Sequence, residues 1–410
     1  MSIALLIESA NIQKAEVKPR IQQKLQMLRG VTSLVIVWSH AGMRGYVDPI
    51  YHLYGFFVPV GTMRPFLFFM LSGYMLGLTN KNPLANFNEI KSFVKKRCKR
   101  LYPVYFLAVL FSFLIAKESN LFWSLIGHLL FLQNIATDVI IENTPIWSMN
   151  FEIVFYISFI IISFLSIRPL YVIVAALVAL TVLLFPSNVH PNLIRYSLGL
   201  IYFAMGILCA DIKFREYVHP TSFCISLLIL LFCYQRLEVY QFIFNKLHIP
   251  NLDVTTQGFK FFIVLQFVPY CILILSTFNN KIHAWHKYLV AVIYVPPLGR
   301  SFYLLYSGNL DLGMKISIAL FLTSVLLLVF PFRFSFTRIK MGLSFLGGIS
   351  YGTYLVHLPI WYLFIRFTPF SGTLYTALIR LIIYLCVVIA SAYFLEKRYQ
   401  KWAVKLVERS

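Results

Sequence analysis

Predominantly apolar runs long enough to carry a helix across a bilayer recur along almost the whole chain, and they constrain its fold more than any other feature. A helix rises ~1.5 Å per residue, so ~20 apolar residues cross ~30 Å of hydrocarbon. Windows of this kind lie at about 28–46, 56–78, 101–117, 146–166, 169–186, 194–211, 220–235, 258–278, 288–306, 313–331, 344–366 and 374–395. Backbone N–H and C=O groups find no water in hydrocarbon, and a helix satisfies them within one segment. The expected fold class is therefore all-α: a polytopic transmembrane helix bundle of 10 to 12 helices. The least regular window is 288–306, which holds Pro296, Pro297 and Arg300, while the shorter run at 121–135 reads as a half-buried or re-entrant piece. Composition excludes an ordinary soluble domain, with 59% hydrophobic residues, 12% charged and a mean hydropathy of +0.76.

Orientation follows from the basic residues, which stay on the cytoplasmic side of short loops. Lys14, Lys18, Arg20 and Lys24 precede the first span, and Lys91, Lys95, Lys96, Arg97, Lys99 and Arg100 precede the third. Lys397, Arg398, Lys401, Lys405 and Arg409 follow the last. Counting the windows alternately also puts Lys213 and Arg215, Lys281 and Lys287, and Arg333, Arg338 and Lys340 inside. Both termini are then cytoplasmic and the number of spans is even. The expected organisation is a cytoplasmic segment 1–26, a transmembrane domain 27–396 and a short cytoplasmic tail 397–410. The run Ile3–Ile7 is too short for a cleavable signal and lies ahead of its basic residues, so the first span is expected to be its own insertion signal. The net charge of +21 is accounted for by this topology and by anionic lipid headgroups, so no nucleic-acid partner is expected. The six cysteines are scattered without paired metal-ligand spacing, and no metal is expected.

Against that apolar background, each intramembrane polar group needs an account. Arg29 and His40 are eleven positions apart, which is ~16 Å and almost three turns of helix, so they share a face with Arg29 at the cytoplasmic end. Glu152, in Trp147-Ser148-Met149-Asn150-Phe151-Glu152, is the acidic residue well inside a predicted span. A helix entering from outside near Trp147 carries Glu152 to a depth where it can meet His40. A carboxylate beside an imidazole fixes its tautomer and raises its basicity, as a general base for a hydroxyl requires. The same residues also fit a structural ion pair within a bundle, or a proton or anion path in a transporter or flippase. Arg97 and Arg100 lie three apart at a helix start, suited to the phosphates of an anionic cofactor or to lipid headgroups.

These elements recur together in one pattern. Arg29 with His40, Phe69-Met70-Leu71-Ser72-Gly73-Tyr74, Arg97-x-x-Arg100-x-x-Pro103, Trp147-Ser148-x-x-x-Glu152 with Phe155-Tyr156, and Leu346-Gly347-Gly348-Ile349-Ser350-Tyr351-Gly352-Thr353-Tyr354-Leu355-Val356-His357-x-Pro359 follow one another in order. Lesser echoes are Leu132-Gln133-Asn134, Gly206 near Asp211, and Glu396-Lys397. Over about residues 25–400 the chain resembles the acyltransferase-3 family of integral membrane acyltransferases, in the single-domain form of bacterial polysaccharide O-acetyltransferases. The resemblance implies about ten helices in a bacterial inner membrane. It also implies transfer of an acyl group, most commonly acetyl from acetyl-CoA, onto a hydroxyl of a sugar or lipid. Expected partners are acyl-CoA, a sugar or lipid-linked glycan acceptor such as an O-antigen precursor, and membrane lipids. Carried over residue by residue, it makes His40 the catalytic base, with Glu152 supporting His40 or the acceptor. Arg29, Arg97 and Arg100 become cofactor-binding residues for the coenzyme A phosphates. A packing role competes with function for His357 and Tyr351, because Gly347-Gly348 permits close helix approach. Some relatives carry an extracytoplasmic hydrolase-like domain, and where it is lacking transfer is expected to be direct or passed to a separate protein.

Overall fold

The computed structural model describes residues 23–37, 40, 64–116, 121–183, 190–212, 215–233, 237–247, 263–279, 281–308, 310–333, 337–367 and 374–409. Helices dominate them. The first, α1, covers 23–37, and His40 is again helical. There follow α2 (Arg64–Thr79), α3 (Phe87–Ile115), α4 (Leu121–Leu129), a 3₁₀ turn (Ile141–Ile146) running into α5 (Trp147–Phe164), α6 (Pro169–Leu183) and α7 (Pro191–Asp211). Then come α8 (Thr221–Cys233), α9 (Val239–Leu247), α10 (Val268–Phe278), α11 (His286–Ser307), α12 (Leu312–Val329) and α13 (Thr337–Gly347). The chain closes with α14 (Ser350–Phe367), α15 (Leu374–Tyr393), a π turn (Phe394–Tyr399) and α16 (Gln400–Arg409). The only sheet among the described residues is a two-stranded antiparallel clasp, Arg215–Glu216 against Lys281–Ile282.

Among the described residues, six helical stretches are long and apolar enough to cross a membrane: Phe87–Ile115, Ile141–Phe164, Pro191–Asp211, His286–Ser307, Leu312–Val329 and Leu378–Arg409. Shorter apolar helices are Pro65–Thr79, Pro169–Leu183, Thr221–Leu230 and Val264–Phe278. The window with two prolines is a continuous helix, α11, in spite of Pro296 and Pro297. The run at 121–135 is not a span: α4 has nine residues, ~13 Å, and the chain then turns through left-handed Phe131 and Asn134. One window, 344–366, is two helices broken at Gly347–Ile349. Residues 41–46 of the first window and 1–22 of the expected N-terminal segment lie outside the described residues.

Close helix approach at glycine sets the bundle. On α2, a Cβ at Gly73 would sit 2.0 Å from the carbonyl oxygen of Phe203, and one at Gly206 on α7 would sit 2.1 Å from that of Met70. The two backbones therefore touch where a side chain on either would force them apart. In the same way Gly347 meets the Gln26 carbonyl oxygen (1.7 Å) and Gly30 that of Leu343 (2.1 Å), locking α1 against α13. Between these crossings lies a buried aromatic core, in which Phe69, Phe151, Phe155 and Phe203 pack ring against ring. A second polar cross-link, buried among apolar residues, joins α8, α11 and α12: Ser226, Tyr294 and Ser324 bond one another.

Candidate active site

Two prolines shape the helices that carry the polar residues. Proline has no N–H to give the carbonyl four residues back. In α14, Pro359 leaves the Leu355 carbonyl without its helical donor, and the buried Asn143 Nδ2 donates to it instead (3.0 Å) while also donating to Ser112 Oγ (2.9 Å). In α3, Pro103 frees the Lys99 carbonyl, and Gln400 Nε2 of α16 donates to Lys99 (3.4 Å) and to Arg100 (2.7 Å). Glu396 adds a cap: its Oε1 accepts from the Gly352 N–H (2.6 Å) in the first turn of α14. The start of α5 is pinned by the loop after α4, where Gln133 Nε2 donates to the Ile146 carbonyl and Asn134 Nδ2 to that of Trp147 (3.1 and 3.0 Å). Leu132-Gln133-Asn134 is thus a clamp on the helix that bears Ser148 and Glu152.

A cavity of about 70 Å³ opens between α1, α2, α3, α5 and α14. Arg29, Arg100 and Glu152 line it, together with Ser72, Ser148, Ser350, Tyr351 and Tyr354. Arg29 lies within electrostatic reach of Arg100, which repels it, and of Glu152 and Glu396, which attract it. The Glu152 carboxylate accepts a very short bond from Tyr156 one turn on, and a weak one from Ser72 Oγ at 3.4 Å. Tyr354 donates its hydroxyl to the Pro145 carbonyl (2.6 Å) and lies 2.7 Å from Ser148 Oγ, joining α14 to α5. The Tyr351 hydroxyl donates to the Leu101 carbonyl (3.2 Å) and joins α14 to α3.

Arg97 stands outside this wall. Its guanidinium lies over Phe93 (5.2 Å to the ring centre) and Tyr156 (5.7 Å), and its buried Nε has no hydrogen-bond partner. Of the Arg-x-x-Arg pair, Arg100 thus lines the cavity and Arg97 does not.

His40 meets a residue from the far end of the chain. Its Nδ1 lies 2.9 Å from Nε2 of His357, with ring centres 5.1 Å apart. His357 is completely buried, and its Nδ1 lies 2.7 Å from the Tyr354 carbonyl oxygen. A carbonyl only accepts, so Nδ1 of His357 carries the proton and Nε2 of the neutral ring is an acceptor. His40 Nδ1 must then donate to it, which leaves the lone pair of His40 on Nε2. Sequence reasoning left His357 between packing and function. Its signal was the spacing of Tyr351, Tyr354 and His357, three apart on one helical face, two of which line the cavity.

The structure therefore brings Arg29, Arg100 and Glu152 to one cavity, sets Arg97 outside it over the Tyr156 ring, and pairs His40 with His357. The model of the acyltransferase-3 family, described as an acyltransferase domain, matches residues 22–307, so the 346–359 motif with His357 lies beyond the matched region. No curated protein and no solved structure matches the chain significantly. The match spans well over half of the chain and includes Arg29, His40, Arg97, Arg100 and Glu152; this chain belongs to the acyltransferase-3 family and is an integral membrane acyltransferase.

Proposed function

We propose that the protein moves an acyl group, acetyl from cytoplasmic acetyl-CoA, to a hydroxyl of a surface polysaccharide or its lipid-linked precursor in a bacterial inner membrane. The observation that carries this reading is that Arg29, Arg100 and Glu152 line one cavity, which is also lined by α14, the helix whose His357 meets His40. Arginine forks suit phosphate oxygens, and Arg29 and Arg100 line the cavity. On this reading Arg29, Arg97 and Arg100 hold the coenzyme end of the donor, with both termini and the basic loops on the cytoplasmic side.

His40 Nε2 takes the proton of the acceptor hydroxyl as the hydroxyl oxygen bonds to the acyl carbon. The acyl carbon–sulfur bond breaks, and the proton passes on to the departing thiolate, giving an ester and a free thiol. Glu152 compensates Arg29 and Arg100, holding them in place in a low-dielectric setting. The test is mass spectrometry of envelope glycans from host cells with the gene intact, deleted, and restored as wild type or His40→Ala. An acetyl increment lost on deletion and rescued by the wild type alone is expected. Glycan masses that do not change on deletion exclude a polysaccharide acceptor.

A further inference from the structure

We infer that His357 is a positioning residue for the reaction: it fixes the tautomer and ring orientation of His40 without touching either substrate. This rests on the reading of His40 as the base. An imidazole acts as a base only through a nitrogen that carries a lone pair, so the hydrogen bond at its other nitrogen decides which one faces the substrate. His357 supplies that bond from the far end of the chain, with Nε2 2.9 Å from His40 Nδ1.

Its own proton is committed elsewhere. Nδ1 faces the carbonyls of Tyr354 (2.7 Å) and Thr353 (3.2 Å), neither of which can donate, so the ring has one way to meet His40. Its backbone is held just as firmly. Tyr384 donates to the His357 carbonyl (3.0 Å), and two residues on, Pro359 passes the Leu355 carbonyl to Asn143. Together, a buried ring without rotational choice and a proline-broken helix bonded from two neighbours form a mount. When His40 gains the hydroxyl proton, its Nδ1–H bond to His357 becomes charge-assisted and strengthens, which favours the step.

The test uses the full-length protein in inside-out membrane vesicles, with radiolabelled acetyl-CoA as the probe and label in envelope material as the readout. His357→Asn keeps a donor near the Tyr354 carbonyl and removes the acceptor from His40; His357→Gln places an amide oxygen near the lost Nε2. Expected is a roughly hundredfold fall in kcat for His357→Asn at unchanged acetyl-CoA KM, with most of it recovered in His357→Gln. The acid limb of the kcat–pH profile moves between wild type and His357→Gln, because one titrating ring has gone. His357→Asn at wild-type kcat, or equal losses in the two variants, overturns the positioning role while leaving His40 as base. Label incorporation by His40→Ala at the wild-type rate overturns the base itself. If neither variant folds, nitrogen NMR of histidine-labelled wild-type protein decides: the proposal requires His40 protonated at Nδ1, and an Nε2–H tautomer sinks it.

Discussion

His40 and His357 meet Nδ1 to Nε2 at 2.9 Å although 317 positions separate them in the chain. The contact fixes which nitrogen of His40 is basic, and it makes the first and the second-to-last long helical segments parts of one site. Replacing His40 by Ala should reduce acyl transfer by about 10²- to 10⁴-fold, the usual share of a general base. Labelled acetyl incorporation checks this, and an unchanged thermal melt in detergent shows that the fold has survived.

Arg100 lines the cavity beside Arg29, and its planar fork is not replaced by an ammonium point charge. Arg100→Lys should raise the acetyl-CoA KM roughly tenfold or more with a smaller change in kcat, since each lost tenfold corresponds to ~1.4 kcal/mol of binding. Saturation curves for acetyl-CoA in membrane vesicles check it; an unchanged KM would remove Arg100 from the donor site.

Glu152 accepts from Tyr156 and Ser72 and faces two arginines across the cavity. Glu152→Gln keeps the shape but removes one negative charge, so Glu396 is left as the counter-charge while Arg29 and Arg100 repel one another. The variant should lose about 3 kcal/mol of stability or more, as when one partner of a buried charge cluster is removed. Denaturant titration in mild detergent measures this, and the same variant should lose most of its transfer activity.

At Gly73 a methyl group would stand 2.0 Å from a backbone oxygen of α7, which cannot turn aside as a flexible side chain can. Gly73→Ala should therefore cost about 1–3 kcal/mol by overpacking, with a lower melting temperature. At Gly299, by contrast, nothing lies within 4 Å of an added Cβ, and Gly299→Ala should be neutral or better. Parallel melts of the two variants separate close packing from helix propensity.

Asn143 replaces the donor that Pro359 cannot provide. Asn143→Ala leaves the Leu355 carbonyl and Ser112 Oγ short of a partner in a dry interior, a loss of about 1–3 kcal/mol. Hydrogen exchange across α14 should rise in the variant; protection equal to wild type would show that another donor takes over.

Hydrophobic length made the membrane-spanning helices legible, because a bilayer demands ~20 apolar residues wherever a helix crosses it. The order of short motifs also pointed to the family. The break at Gly347–Ile349 was not legible, because apolar content runs through it. Nor was the reach of α4, whose apolar run ends in a clamp of side-chain amides on α5.

The sequence by itself determined which polar residues are carried into the apolar bundle, since their cost there is a property of each side chain and its neighbours along the helix. Which of them meet was decided by the tertiary structure. Glu152 went to Ser72, Tyr156 and the arginine wall, and His40 went to His357, because helix crossings at Gly73, Gly206, Gly30 and Gly347 set the rotation and depth of each helix. Those crossings join residues far apart in the chain, and no local spacing rule reaches across them.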